Sequence, residues 1–162
     1  MFNMQDFLDA PLHVVSAGLF ISDGKWIHPT RVINSFELIF VMQGGFQIAE
    51  EETVYTLRQG DALFLRPGIE HRGLSPSTEK ISFYWVHFDF EGSPPPKTAS
   101  SQAAVLNDSN MRILFKQLLH YCNTPTYPAA CQGYLLRLAV VEVLLSQSQN
   151  SGKGSALIKD IQ

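Results

Sequence analysis

The sequence predicts a mostly β domain with C-terminal helices, and three observations support this fold class. Residues 12–90 contain short runs rich in Val, Ile, Phe and Tyr, separated by Gly, Pro and polar residues. Residues 108–146 instead carry apolar residues at helical spacing. The chain has 162 residues, 45% of them hydrophobic, so a single domain can bury a sufficient core without disulfides or metals.

Six strands are predicted in the N-terminal part. Gly44 and Gly45 are expected to provide the positive φ angles of a tight hairpin, and the sequence Gln59-Gly60-Asp61 marks another reversal. Such turns favour a small antiparallel barrel or sandwich. The predicted strands are Leu12–Ile21, Phe36–Met42, Gly45–Ala49, Thr53–Leu57, Ala62–Leu65 and Ile81–Phe90.

Two helices are predicted after a connector that is expected to be exposed. Residues 92–102 contain three consecutive prolines and no large apolar side chain. Between Met111 and Cys122 the apolar residues follow the spacing of an amphipathic helix, for which Asn107, Asp108 or Ser109 could be the N-cap. Two prolines within residues 123–128 end this helix.

The second helix, residues 129–146, has almost no polar face. Between Tyr134 and Leu145 only Arg137 and Glu142 interrupt its apolar run, and a helix of this kind must be covered on more than one side. We therefore predict a homodimer through the helices; full burial within one monomer is the alternative.

Polar residues follow the second helix. Residues 147–155 have no apolar side chain and predict a flexible linker. Beyond them, Leu157, Ile158 and Ile161 return to helical spacing. We therefore expect the chain to be a fragment of a longer protein that stops inside a new helix.

Composition and charge exclude several classes of function. No apolar stretch approaches the roughly 20 residues that a membrane span needs, and the N-terminus lacks the features of a secretory signal. The net charge of -3 argues against direct binding of nucleic acid. Cys122 and Cys131 are expected to be free thiols of a cytoplasmic protein.

One segment, Gly60–Gly73, resembles the second conserved motif of the cupin superfamily. A Gly-Asp turn leads into a strand, Pro67 and Gly68 form a second turn, and His71 follows at a fixed offset. The first cupin motif is only partly present, because Glu37 has the right spacing to its glycine while the two histidines are absent.

The incomplete motif bears on metal chemistry. A metal site needs three or four converging ligands, and Glu37 with His71 provides two, to which His87 could add a third. We therefore expect no metal or other cofactor and no catalytic residue. A metal-dependent cupin enzyme of the isomerase or oxygenase type, using these three residues, is the alternative.

Over residues 12–162 the order of motifs resembles the N-terminal half of AraC-family bacterial transcription regulators. The segments that carry the resemblance are ELIFVMQGG, YTLRQGDALFLRPGIEH and ISFYWVHFDF, followed by two helices, a polar linker and ALIKDIQ. The resemblance implies a cupin-like antiparallel β-barrel of the jelly-roll type that binds a small effector, often a sugar. It further implies helices that dimerise and a separate C-terminal half that binds DNA.

The chain is accordingly divided into five parts. They are a cupin-like ligand-binding barrel (1–91), a connector (92–107), a two-helix dimerisation element (108–146), a flexible linker (147–155) and the start of a truncated DNA-binding domain (156–162). On this division the chain is a non-enzymatic sensor that contacts DNA only through the C-terminal half.

The strand Ile81–Phe90 carries the centre of the predicted ligand site. Alternation places Phe83, Trp85 and His87 on one face, and we expect one face to line the barrel and the other to lie under the helices. The resemblance implies that Trp85 stacks on a sugar, as a tryptophan does in the arabinose-responsive family member, and that Arg31 contacts it.

A small polyol needs an aromatic wall and a few polar groups. The guanidinium of Arg31 also fits a carboxylate or a phosphate, so a sugar acid remains open. Core packing is the alternative for the aromatic residues, and a turn cap is the alternative for His71. The predicted ligand-binding residues are Arg31, Glu37, His71, Phe83, Trp85 and His87.

Overall fold

The computed structural model describes residues 4–92 and 101–159. Within these ranges the chain forms three helices and nine strands. In chain order they are α1 (Met4–Asp9), β1 (Leu12–Ser22), β2 (Arg31–Val32), β3 (Phe36–Gln43), β4 (Gly45–Glu50), β5 (Thr53–Arg58), β6 (Asp61–Leu65), β7 (Glu70–Gly73), β8 (Ile81–Phe90), β9 (Gln102–Ala104), α2 (Asp108–Cys122) and α3 (Ala130–Lys159).

The strands form two antiparallel sheets. One has five strands in the order β1-β8-β3-β6-β9, and the other has four in the order β2-β7-β4-β5. An apolar cluster drawn from both sheets fills the space between them, which confirms the predicted mostly β, jelly-roll-type fold. Its buried members are Ile39, Val41, Phe46, Ile48, Leu57, Leu63, Leu65, Ile81 and Phe83.

The helices cover the outer face of the five-stranded sheet. Phe115 of α2 stacks on Tyr84 of β8 with ring centroids 5.1 Å apart, and Phe7 of α1 and Val140 of α3 are buried in the same cluster. Alternation along β8 therefore places Phe83 between the sheets and Tyr84 beneath the helices. This arrangement is the one that the strand pattern predicts.

The polar residues that interrupt the apolar pattern of α3 hold neighbouring segments. Arg137 donates hydrogen bonds to the carbonyl oxygens of Leu8, at 3.1 Å, and Ala10, at 2.7 Å, and so fixes the end of α1. Glu142 accepts a hydrogen bond of 2.6 Å from Asn110 of α2. Both side chains therefore help to join the helices to each other.

The start of α2 agrees with one of the predicted caps. The side chain of Asn107 accepts a hydrogen bond of 3.1 Å from the backbone N–H of Asn110. This bond satisfies one of the N–H groups that an α-helix leaves unpaired at its N-terminus.

The backbone of α3 differs from the predicted linker. The helix continues through residues 147–155, where we expected flexibility, and reaches Lys159. A helix that has already formed can extend through polar residues, because each added residue needs no new nucleation. The absence of apolar residues therefore did not indicate where the helix ends. Of the predicted DNA-binding start, residues 156–159 belong to α3 and residues 160–162 lie outside the described residues.

The connector prediction is wrong for its last residues. Ala103 belongs to β9, which pairs with β6, and the carbonyl of Ser101 accepts a hydrogen bond of 2.8 Å from the backbone of Phe64. Both residues are buried. Small side chains of this kind give no hydrophobic periodicity, so the sequence did not predict β9. Residues 93–100 of the connector lie outside the described residues.

The predicted hairpin at Gly44 is instead a crossing between the sheets. Gly44 has a φ of 69°, as expected, but β3 and β4, which it joins, belong to different sheets. Gly45 is not among the residues with positive φ, and a Cβ there would lie 2.4 Å from the carbonyl oxygen of Leu57. A glycine is therefore needed at position 45 because there is no space for a side chain, and not because of its backbone conformation.

In the part of the chain that the structure describes, no helix is both long and apolar enough to cross a membrane. Cys122 and Cys131 are both free thiols, as expected.

Candidate functional site

A cavity of about 280 Å³ adjoins the apolar cluster between the two sheets. This volume is near the lower end of the range for small-molecule sites. Five of the six predicted ligand residues line it, and His71 does not. The lining residues are Phe20, Trp26, His28, Pro29, Arg31, Glu37, Phe83, Trp85 and His87.

Trp85 forms part of the aromatic wall because its strand neighbour has no side chain. Gly18 of β1 is paired with Trp85 of β8 in the sheet. A Cβ built on Gly18 would lie 2.6 Å from Cζ2 of the indole. The glycine therefore lets the indole lie directly against β1.

Phe20, Trp26 and Phe83 complete the aromatic wall. The ring of Phe20 lies 4.6 Å from that of Trp26 and 5.0 Å from that of Phe83. Sequence reasoning missed Phe20 and Trp26. Phe20 could have been found from the alternation of β1, whereas Trp26, His28 and Pro29 lie between β1 and β2, where no periodic pattern exists.

Glu37 places a carboxyl group in the buried part of the cavity wall. Its side chain enters from β3 between Leu65 of β6 and His87 of β8, and the residue is 6% exposed. Oε1 lies 3.6 Å from Nε2 of His87, and Oε2 has no hydrogen-bond partner among the described residues. Burial raises the pKa of Glu37 to about 7, and the positive charge of Arg31 opposes this shift.

His87 links Glu37 to a serine. Its Nδ1 lies 3.2 Å from Oγ of Ser35, and its ring meets that of Trp85 edge to face at 5.3 Å. Burial lowers the pKa of His87, and the charges of Arg31 and His71 add to this effect. At neutral pH the imidazole is therefore mostly uncharged, and its contact with Glu37 is not a full salt bridge.

His71 lies next to His28 and does not line the cavity. The two rings are 5.1 Å apart, and neither nitrogen of His71, which is 1% exposed, has a hydrogen-bond partner in the described part of the chain. Burial lowers the pKa of His71; the backbone of Ile69 opposes this in part but does not reach hydrogen-bonding geometry. A direct ligand contact by His71 therefore stays a prediction.

His28 has a defined tautomer. Its Nδ1 lies 2.7 Å from the carbonyl oxygen of Pro29, which can only accept, so Nδ1 carries the hydrogen. Burial lowers the pKa of His28 to about 4, and the ring is neutral at pH 7. Nε2 is therefore an acceptor.

Arg31 provides the positive charge of the site. It is exposed on β2, lines the cavity and pairs with His71 in the sheet. Its charge disfavours protonation of all three neighbouring histidines and favours ionisation of Glu37. Within the described residues it forms no salt bridge with Glu37.

The predicted alternative metal ligands do not form a metal site. No group of three or more His, Cys, Asp or Glu side chains in residues 4–92 and 101–149 converges on a point where it could hold a metal ion. Of the alternative set, Glu37 and His87 face the cavity and His71 does not. We therefore derive no metal-dependent step.

The structure is thus a two-sheet domain of the jelly-roll type with an aromatic, partly charged cavity. The family model of the AraC-like ligand binding domain matches residues 13–139, which is most of the chain. The chain belongs to this family, as its motifs predict.

One curated relative is the uncharacterized HTH-type transcriptional regulator YisR of Bacillus subtilis (strain 168). It is 40% identical over 77 residues, which cover 44% of this chain and 27% of the relative. The matched part of the chain thus spans about a quarter of the relative's length.

Solved structures with similar folds are more distant in sequence. A putative mannose-6-phosphate isomerase from Ralstonia eutropha JMP134 is 22% identical, with a TM-score of 0.41, over 50% of this chain and 85% of that one. A cupin 2 conserved barrel domain protein from Salinispora arenicola CNS-205 is 15% identical, with a TM-score of 0.41, over 50% and 76%. Similarity at this level does not bear on function.

Proposed function

We propose that this chain is the effector-sensing and dimerisation domain of an AraC-type transcription regulator. The observation that carries the proposal is the cavity itself, in which an aromatic wall and a buried carboxyl group without a second partner face the same space. Binding sites for small molecules have this composition, a mostly apolar wall with a few polar groups. Membership of a ligand-binding family supports the same role.

The proposed effector is a small carbohydrate or carbohydrate derivative. Trp85 and Trp26 offer flat apolar surfaces for the faces of a sugar ring, while Arg31, Glu37 and His87 offer polar groups for its hydroxyls. A cavity of about 280 Å³ suits a ligand of monosaccharide size. His71 would act through His28, against which its ring lies.

Dimerisation is proposed to use the face of α3 that points away from the sheet. Tyr134, Leu138 and Leu145 are spaced four and seven residues apart on that helix and are 67%, 51% and 44% exposed. Large apolar residues that recur at helical spacing on a surface favour a partner. These three side chains are exposed in the single chain, which does not agree with the alternative of full burial within one monomer.

DNA contact is proposed to occur through a helix-turn-helix part of the regulator and not through the residues present here. The net charge of -3 gives this domain no basic surface excess, and the similar Bacillus protein is named as an HTH-type regulator. A regulator that acts on DNA works in the compartment that contains it, which agrees with the expected cytoplasmic location.

The competing hypothesis of a metal-dependent cupin enzyme has less support. Its three proposed ligands do not form a group that could bind a metal ion in the described part of the chain. The site therefore lacks the ligand set that would hold a metal as Lewis acid. We propose a non-enzymatic sensor for this reason.

A thermal-shift screen against monosaccharides and sugar acids tests the proposal. A ligand at a hundred times its Kd adds about 2.7 kcal/mol of stability, which raises Tm measurably. The Trp85→Ala variant should lose the shift, whereas Tyr127→Ala, at an exposed aromatic residue outside the cavity, should keep it. If no compound shifts the wild-type Tm, the effector role is wrong.

A further inference from the structure

We infer that Glu37 determines which ligands the cavity accepts: it selects an uncharged molecule that donates a hydroxyl hydrogen bond to its carboxylate and rejects one that presents a carboxylate or phosphate there. This inference rests on the proposed sensing function and narrows it, since Arg31 taken alone would equally admit a sugar acid. The property that it defines is the charge that the ligand carries next to the Glu37 carboxyl group.

The carboxyl group of Glu37 has one oxygen that the described residues leave without a hydrogen bond. Oε1 of Glu37 has His87 at 3.6 Å, but Oε2 has no partner among the described residues although the residue is 94% buried. Leaving such a group without a hydrogen bond is costly. Glu37 lines the cavity, so a ligand hydroxyl that donates to its ionised carboxyl group supplies a hydrogen bond that the described residues do not provide.

Three of the side chains near Glu37 are apolar or have a ring nitrogen that faces another group. Nδ1 of His87 faces Ser35, Nδ1 of His28 donates to Pro29, and the β6 neighbour of Glu37 is Leu65. No side chain in the described residues forms a hydrogen bond with Oε2. A donor for this carboxylate must therefore come from outside the described residues, and a bound hydroxylated ligand can supply it.

The opposite charges of Arg31 and Glu37 together disfavour a charged ligand. Arg31 is exposed and Glu37 is buried, so an anion near Oε2 would meet a carboxyl group in the less hydrated part of the site. Two carboxylates in one site cannot both ionise without a large penalty. Arg31 in turn opposes a cation. A neutral hydroxylated ligand can accept from Arg31 and donate to Glu37 at once.

The experiment compares matched neutral and acidic sugars by titration calorimetry. The probes are glucose with glucuronate and galactose with galacturonate, which differ within each pair at one carbon. For wild-type protein at a pH of about 8.5, where Glu37 is ionised, we expect a neutral sugar to bind at least about tenfold more tightly than its acid. At pH 6.5 the difference should shrink, because Glu37 is then largely protonated.

The other titratable groups around Glu37 do not share this change. Burial shifts the pKa of His28, His71 and His87 downward, away from this range, whereas the pKa of Glu37 lies within it. The same two-pH comparison on the wild-type protein therefore tests Glu37 without any substitution.

Two variants complete the test. Glu37→Gln keeps the shape and removes the charge, so the preference for the neutral sugar should largely disappear. Glu50→Gln is the matched control, since Glu50 is also a buried glutamate but accepts from the backbone of Arg66 outside the cavity. It should keep the preference.

The outcomes separate the two claims. If a neutral sugar and its acid bind wild-type protein equally well, or Glu37→Gln keeps the full preference, the inference about Glu37 is wrong while the sensing function stands. If neither pair binds, the carbohydrate effector of the proposed function is contradicted, and the inference fails with it.

Discussion

At the scale of single residues, the shape of the site depends on what is missing as much as on what is present. Gly18 leaves room for the indole of Trp85, and no described residue forms a hydrogen bond with Oε2 of Glu37. The alternation of β8 was enough to predict Phe83, Trp85 and His87 on one face. It could not predict Trp26 or His28, because their position depends on how a segment without periodicity folds back over the strands.

Gly18→Ala should reduce ligand binding by moving Trp85. The new methyl group would lie 2.6 Å from the indole, closer than any non-bonded contact allows, so the ring must shift toward the cavity. We expect a loss of about 1–3 kcal/mol in stability, typical of overpacking, and weaker effector binding. Denaturant titration and the tryptophan emission spectrum measure these effects. Ser16→Ala, at an exposed position of β1, should leave both unchanged.

The stability contributed by Glu37 should fall as pH rises. Its pKa is about 7 in the folded protein and 4.5 in the unfolded chain, so the folded state binds more protons between these values. The wild type should therefore lose stability relative to Glu37→Gln as pH rises from 4.5 to 7, by at most about 3 kcal/mol.

The comparison with Glu37→Gln is needed because the buried histidines act in the opposite direction. The pKa of His28 is lowered from 6.5 to about 4, so stability from this residue increases with pH over that interval. Both proteins contain the same histidines, and their difference in unfolding free energy isolates Glu37. A pH-independent difference would contradict the prediction.

At the scale of elements, the described helices and sheets are joined by a few polar contacts within large apolar interfaces. The long strands and α2 could be predicted because their periodicity runs over many residues. β2 has two residues and β9 has three, so neither offers enough sequence for a pattern. The continuation of α3 could not be predicted either, because polar residues are compatible with both a linker and an exposed helix.

Arg137→Met should release α1 from α3. The substitution keeps the apolar part of the side chain but leaves the carbonyl oxygens of Leu8 and Ala10 without these two donors. We expect a loss of about 1–3 kcal/mol and faster hydrogen exchange in residues 4–10. Lys116→Met, which removes an exposed charge from α2, is the control. Unchanged exchange in Arg137→Met would show that these two hydrogen bonds do not hold α1 in place.

At the scale of the whole molecule, the two faces of the five-stranded sheet have different roles. One face borders the cavity, and the other supports the helices that we propose to dimerise. Sequence resemblance predicted this division well, since it depends on the order of motifs along the chain. The residues of the dimer interface were less predictable, because the outward face of α3 becomes evident only after the helix is packed.

Leu138→Glu should convert the proposed dimer to a monomer. Leu138 is 51% exposed in the single chain, and in a symmetric dimer the substitution introduces two carboxylates into one apolar interface. Sedimentation equilibrium should show an increase of at least about a hundredfold in the dimer Kd. Thr53→Glu, at an exposed position of β5 in the other sheet, should have no effect. A wild-type protein that is monomeric at high concentration would contradict the dimer itself.

The unbroken backbone of α3 has a mechanical consequence. Residues 147–159 account for about 20 Å of its length, at 1.5 Å per residue. A flexible tether has slack and would absorb a small movement of the domain. A stiff rod anchored at its base acts as a lever instead, so a slight tilt of α3 against the sheet becomes a larger displacement at its far end.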